Sequence, residues 1–444
     1  MEIYTISGYN EVGKNMTAVK IKDDVILFDA GLHLPAVIEL QEEEKQPTEK
    51  ILRKHGAIPN DLLLDKLGIR NKVRAILLGH AHLDHIGAIP HMGYRYNAPL
   101  VGTPFTLGVL KKILEDDKKQ IPNQIKSVSP NSSFTIKGKS GNYKAEFLNI
   151  THSTLQTSLI ALHTPKGIVL YANDFKLDNN PIMGLPPNWK ALKRIAKQGV
   201  KALVVDSLYS GNDKKTPSEK VARSMIEDVM LGVDNEKSGI VVSTFSSHLA
   251  RLKSIVDYGT RLNRKIYFIG RSLKKYVSAA IDTNMCPFKN KIQIGSYRKQ
   301  VESILKRASK NRTKSIIVCT GHQGEPGSVL DRMSRKMLPF NFKQNDNIIF
   351  ASKTIPTPLT EANKGQILKR LKKAGARIFD DVHVSGHASR EDLRDFVSIT
   401  NPENIIPAHG STAQLTPMIE LAREMGYHAG KECHLMQDGQ KLKL

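Results

Sequence analysis

Three imidazoles and a carboxylate fall within six consecutive residues, His80-Ala81-His82-Leu83-Asp84-His85, directly after the apolar run VRAILLG at 73–79. A short run rich in Val, Ile and Leu suits a buried strand, so the cluster is expected at a strand end. Imidazole nitrogen and carboxylate oxygen are the usual donors to a catalytic Zn²⁺. In an extended segment His80 and His82 point the same way and can share one ion. A helix start after them would re-aim Asp84 and His85 towards a second ion. The fold must therefore bring further donors to this one strand end.

Similar apolar runs recur at 24–30, 145–150, 167–172, 200–206, 239–244, 265–270, 315–320, 347–351 and 404–408. Helical stretches such as 217–231 and 361–374 lie between them, which indicates an α/β architecture. Many runs end in a residue able to do chemistry: Asp29, His80, His152, Asp174, Asp206, His322 and His409. Ligands in α/β proteins bind outside strand ends, so the seven are expected on a shared rim. The charged, helix-prone segment 36–70 reads as a surface excursion. Boundaries are expected near 207–216 and 352–360, where polar, turn-forming or proline residues interrupt the pattern.

Charge narrows the partners. The 444 residues carry a net +23, and residues 241–343 hold 21 Lys/Arg against 5 Asp/Glu, a net +16. Such an excess favours polyanions, either nucleic acid or an anionic membrane face. No apolar run approaches the ~20 residues of a membrane helix. The start, Met1-Glu2-Ile3-Tyr4, reads as a strand and not as a signal peptide, so a cytoplasmic location is expected. Cys286, Cys319 and Cys433 form no C-x-x-C pair, which argues against a disulfide framework or a thiolate zinc site.

His152, Asp174 and His409 are the candidates to complete two ions behind H-x-H-x-D-H. This order of donors resembles the metallo-β-lactamase fold, an αββα sandwich with its ions at the sheet edge. Asp206, His387 in VSGHAS and His409 in PAHG are similar to the extra motifs of the β-CASP nucleases, which insert a second α/β domain. The resemblance implies a metallo-β-lactamase domain at 1–206 and 356–444, with an inserted β-CASP domain at 207–355. Further stretches resemble the ribonuclease J family, of the shorter, archaeal type. They are Gly8-Tyr9-Asn10-Glu11-Val12-Gly13-Lys14-Asn15, Asp29-Ala30-Gly31-Leu32, Asn173-Asp174-Phe175-Lys176-Leu177-Asp178, Ser243-Thr244-Phe245-Ser246-Ser247-His248 and Thr320-Gly321-His322-Gln323-Gly324-Glu325-Pro326. Ser411 stands where that family often has Glu.

The resemblance implies two Zn²⁺ per chain, with Mn²⁺ or Mg²⁺ as substitutes. His80, His82 and His152 would hold one, Asp84, His85 and His409 the other, and Asp174 would bridge them. Asp84, Asp174 and His387 are the expected catalytic residues, with His387 approaching the scissile phosphate. Asp206 would orient a ligand histidine. Ser243, Ser247, His248, Ser385, His387 and Ser389 are candidates for contact with RNA phosphate. The implied activity is 5′→3′ exonucleolytic hydrolysis of single-stranded RNA to nucleoside 5′-monophosphates, with 5′-monophosphate ends preferred. The alternatives are a β-CASP endoribonuclease and a zinc-stabilised RNA-binding protein without turnover. No membrane partner is expected, and a homodimer is left open.

Overall fold

Alternation along the strands of the first half builds two sheets that share one core. In Val200–Asp206, Ala202 and Val204 face one apolar cluster while Leu203 and Val205 face another. Gly167–Ala172 divides likewise, with Val169 and Tyr171 opposed to Ile168 and Leu170. The computed structural model describes residues 1–43, 47–354 and 358–444. It resolves them into two units, one of residues 1–179, 184–216 and 386–444, the other of 180–183 and 217–385.

The first unit holds a seven-stranded and a six-stranded sheet. In spatial order the seven are Lys441–Lys443, Glu2–Ser7, Met16–Ile21, Asp24–Phe28, Val73–Leu78, Leu100–Gly102 and Ile125–Ser127. The six are Ile405–Ala408, Val200–Asp206, Gly167–Ala172, Ser158–Thr164, Asn142–Asn149 and Ser132–Lys137. Ile26, Phe28, Ala75 and Leu77 of one sheet pack with Phe147, Ile160, Val169 and Val204 of the other. Helices Trp189–Gln198, Arg390–Thr400 and Thr412–Glu424 cover the outer face of the six-stranded sheet. Pro104–Asp117 packs on the edge of the seven-stranded one. This is the αββα sandwich.

The second unit is built on six parallel strands, in the order Ile292–Gly295, Lys265–Ile269, Ser315–Cys319, Ile240–Ser243, Asn347–Phe350 and Arg377–Phe379. The chain enters it at Pro217 and leaves at Ser385. The polar stretch 207–216 lies just before the entry. The expected exit at 355/356 lies outside the described residues, and the return to the first unit comes later. Arg377–Phe379 adds to the parallel sheet beside Asn347–Phe350, which keeps the segment up to 385 with the second unit. The 36–70 excursion takes in most of the helix Leu34–Glu43 and all of Glu49–Lys54 and Leu62–Lys66. No helix among the described residues is long and apolar enough to cross a membrane.

Three strand ends share an unusual backbone conformation. Asp29, Asp174 and His409 stand just past the strands Asp24–Phe28, Gly167–Ala172 and Ile405–Ala408, with φ of 58°, 58° and 65°. The left-handed region is sparsely populated by non-glycine residues. At each of these positions the backbone bends sharply at the rim of a sheet.

Candidate metal centre

After Val73–Leu78 the chain bends at Ala81, is extended at His82 (φ −75°, ψ 150°) and then turns into the four-residue helix Leu83–Ile86. Alone, so short a helix would not persist. Its carbonyls are met by backbone amides from two loops. Ala30 N–H donates to His85 O (2.7 Å), Leu32 N–H to Leu83 O (2.9 Å) and Asn15 N–H to Asp84 O (3.1 Å). The loop lies so close that a Cβ on Gly31 would fall 1.6 Å from Asp84 O.

This framework brings seven of the candidate residues together in two groups, His80, His82, His152 and Asp174, and Asp84, His85, Asp174 and His409. In the first group His82 Nδ1 lies 3.1 Å from both His80 Nε2 and His152 Nε2. Asp174 Oδ2 lies 3.5 Å from His80 Nε2 and 3.7 Å from His152 Nε2. In the second, His85 Nε2 is 3.2 Å from Asp174 Oδ2 and 3.6 Å from Asp84 Oδ2. His409 Nε2 is 3.9 Å from Asp84 Oδ2, and His409 Nδ1 is 3.5 Å from Asp174 Oδ1. Two donors at zinc bonding distance and the tetrahedral angle are separated by about 3.4 Å. The first group has about that spacing, as do His85, Asp84 and Asp174 in the second, and one donor atom from each residue of either group lies within 4.8 Å of the rest. Asp174 belongs to both, and its Oδ1 is buried without a hydrogen-bond partner among the described residues.

Neighbouring groups fix which ring nitrogens are free. His85 Nδ1 lies 2.7 Å from Asp29 Oδ2, an atom that also accepts from the Tyr171 hydroxyl at 2.8 Å. A carboxylate oxygen only accepts, so Nδ1 carries a proton and Nε2 is the nitrogen turned to the cluster. His152 Nδ1 donates to Gly386 O at 2.7 Å, which frees its Nε2 in the same way. The approach is close: a Cβ on Gly386 would stand 2.2 Å from Ser153 Oγ and 3.1 Å from the His152 ring, so a larger residue here would crowd both. Asn15 Nδ2 lies 2.9 Å from His409 Nδ1. Metal-bound imidazoles commonly need such outer partners.

The two groups differ in charge. Burial, reinforced by neighbouring imidazoles, pushes His80, His82 and His152 well below the usual histidine range. They are therefore neutral, as a cation requires of an imidazole. His85 goes the other way. Burial opposes its protonation, but Asp174, Asp84 and Asp29 outweigh it and raise it well above the usual range. Burial works to raise Asp174, yet His409, His85 and His387 hold it well below the usual carboxylate range. The donors are nitrogen and oxygen only; the three cysteines are buried and free, and none belongs to either group. The set fits zinc.

Asp206 is placed differently from expectation. Its Oδ2 lies 2.7 Å from His387 Nδ1, so it orients His387, and the two form a third group of potential donors with Asp174. The orienting carboxylate for the seven donors of the first two groups is Asp29, on His85. The sequence marked Asp29 as a strand-end residue and within a family stretch, and Asn15 only within a family stretch, and gave neither a role at a donor. Their partners lie too far along the chain for spacing to reveal. The His387 ring stacks on His409 at 5.5 Å and 19°. Burial opposes its protonation, but Asp206 and Asp174 raise it to about 9 in the metal-free chain.

The expected phosphate contacts divide. Ser389 begins helix Arg390–Thr400, its N–H donating to Asp392, and its hydroxyl lies 3.0 Å from Thr216 Oγ1. His248 begins helix Leu249–Arg261 and lies 3.3 Å from Glu219. Ser243, Ser247, His248 and Ser385 belong to the second unit. The Ser243 hydroxyl is fully buried without a partner among the described residues. His322 also belongs to the second unit, so the expected rim gathers in the first unit without it.

Three family models match the chain. One is described as the metallo-beta-lactamase superfamily, over residues 9–205. A second is the beta-CASP domain of ribonuclease J, over 237–369. The third is a Zn-dependent metallo-hydrolase RNA specificity domain, over 375–436. Over its whole length the chain is 39% identical to proteins named ribonuclease J from Methanocaldococcus jannaschii and Pyrococcus abyssi, and covers 98% and 97% of them. It is 29% identical to ribonuclease J of Helicobacter pylori, again over its whole length, and spans 61% of that longer protein. A crystal structure of a protein of unknown function from Enterococcus faecalis V583 superposes with a TM-score of 0.66 at 17% identity. That likeness covers 100% of this chain and 99% of the other, and it shows the fold alone.

Proposed function

We propose, on the premise that the chain belongs to the ribonuclease J family of metal-dependent ribonucleases, that it degrades single-stranded RNA from the 5′ end. It releases nucleoside 5′-monophosphates and prefers a 5′-monophosphate. The observation that carries the hydrolytic reading is the pair of donor groups joined through Asp174. We assign one ion to His80, His82 and His152 and another to Asp84, His85 and His409, with Asp174 serving both.

Two ions so held supply Lewis acidity for the phosphate oxygens and water activated near neutral pH. The chain does the rest. Asp29, Gly386 and Asn15 hold donor rings in orientation. His387 is kept by Asp206 with its proton on Nδ1, so Nε2 is the atom facing a reacting group. Protonated, it stabilises charge on the phosphate or gives a proton to the leaving oxygen. The preference for RNA over a small uncharged substrate is supported by the +16 of residues 241–343 and by the match to an RNA specificity domain. The exonucleolytic direction rests on family membership.

Digestion of matched 5′-phosphate, 5′-triphosphate and 5′-hydroxyl RNAs, with products sized, tests the whole reading. Labelled mononucleotide should appear first, and fastest from the 5′-phosphate substrate. Labelled fragments of intermediate length would instead identify an endonuclease. RNA binding with no product, even after zinc readdition, would identify a binding protein.

A further inference from the structure

The carboxyl ends of the parallel strands in the second unit form one continuous edge, the place where open α/β sheets take ligands. The middle of that edge is rich in polar groups left without partners. Ser243 Oγ, Ser352 Oγ and both ring nitrogens of His322 are buried and have no hydrogen-bond partner among the described residues. They follow three adjacent strands, Ile240–Ser243, Asn347–Phe350 and Ser315–Cys319.

At one end of this edge, after Ile292–Gly295, stands Tyr297, whose side chain is 64% exposed. Its ring carries a cation on one face, and its backbone is tied to the helix that follows. Lys274 Nζ sits 4.7 Å from the ring centroid, and Gln300 Oε1 lies 3.4 and 3.5 Å from the amides of Ser296 and Tyr297. Arg271, Arg298 and Lys299 are exposed on the two helices that begin here, Arg271–Asp282 and Arg298–Lys310. The acids on those helices are Asp282, at the far end of the first, and Glu302, already paired with Arg298 at 2.9 Å. Tyr94, the other largely exposed aromatic among the described residues, is unlike it, because its hydroxyl donates to Glu49.

An exposed aromatic ring with a cation against it and basic groups around it matches single-stranded nucleic acid. Bases stack on the ring, and the basic groups follow the backbone. We propose that Tyr297 is a stacking post for a base of the bound RNA, with Lys274 against the ring and Arg271 and Lys299 along the phosphates. Three interstrand steps separate Tyr297 from Ser243, roughly 14 Å along the edge. The post therefore engages a nucleotide distant from any held at Ser243, and only a strand long enough to reach it. This inference rests on the RNA reading above and adds a subsite to it.

The test is equilibrium binding of 5′-monophosphorylated oligoadenylates, from dinucleotide to dodecanucleotide, to the full chain carrying Asp174→Ala so that nothing is cut. Tyr297→Ala should weaken the longest oligomers by on the order of tenfold, with the loss vanishing as the oligomer shortens. Tyr297→Phe, which keeps the ring, should bind like the parent. A single abasic nucleotide at the stacked position should reproduce the loss in the parent and add nothing to Tyr297→Ala. Equal affinity of Tyr297→Ala and parent at every length would overturn the proposal. So would equal losses for Phe and Ala, or an equal loss for heparin, which has no bases to stack. An unsubstituted, metal-loaded chain that neither binds nor cuts these RNAs would overturn the RNA reading itself.

Discussion

Asp174 is the residue on which both donor groups depend, so its loss should be more severe than that of any histidine. Asp174→Ala is expected to abolish cleavage and strip bound metal from the protein. His82→Ala, outside the second group, should abolish cleavage while leaving more metal behind. Metal analysis beside activity checks both, and near-normal turnover in metal-depleted Asp174→Ala would sink the two-ion assignment. His387 belongs to a different class of residue. His387→Ala should cost about 10²–10⁴-fold in turnover, typical of a positioned acid or base, with metal content intact. A parallel fall in metal would make it a ligand. Away from the centre, Asp24 offers a test of acid stability. Burial would raise its carboxyl, but Arg74, the amides of Ser140 and Lys139, and Tyr143 outweigh burial and hold it at about 2 against an ordinary 3.8. A depressed carboxyl contributes stability in full above its unfolded value, and loses it as pH falls towards the folded one. Asp24→Asn should therefore lower the melting temperature at neutral pH, and the deficit should shrink between about pH 4 and 2. The donors were legible because their chemistry is local: H-x-H-x-D-H is one turn of chain, and the others sit at ends of apolar runs. The pairing of His387 with Asp206, 181 positions away, is set by topology alone.

At the scale of elements, the centre depends on the turn Asp29–Leu32, which clasps the helix Leu83–Ile86 from outside. Gly31→Ala would drive a methyl into the Asp84 carbonyl, 1.6 Å from the ideal Cβ position. Backbone, not a flexible side-chain tip, would have to yield. Overpacking typically costs 1–3 kcal/mol, and here the displaced element carries Asp84 and His85. The variant should thus be destabilised by about that much or more, and should lose metal from the second group before the first. Two-step metal binding by calorimetry would show this; an unchanged second step would mean the helix is held elsewhere. Elements differed in how visible they were beforehand. Each of the ten apolar runs contains or overlaps a strand, because strands covered on both faces must be apolar throughout. Strands such as Ile125–Ser127, Ser132–Lys137 and Lys441–Lys443 are short or largely exposed, and nothing in their composition separates them from loops.

For the whole molecule, charge bias and chain path matter most. If residues 241–343 hold RNA through its backbone, affinity should fall steeply with salt, with a slope of ~0.7 per phosphate contact for a single strand. Reversing Arg271, Lys274 and Lys275 together should weaken binding and flatten that slope while sparing the metal centre. An unchanged slope would mean the +16 is only a solvated surface. The exit from the second unit could not be read from sequence, since Arg377–Phe379 joins its sheet only through a three-residue pairing. The path through that unit also sets an order in time. Synthesis delivers His80 through Asp174 early, then the nearly continuous second unit, and only afterwards Ile405–Ala408, whose pairing with Val200–Asp206 presents His409. The six-stranded sheet waits for its edge strand, and the second donor group waits for its last member. A nascent chain of this design therefore lacks its full donor set until His409 has been made and Ile405–Ala408 has paired with Val200–Asp206.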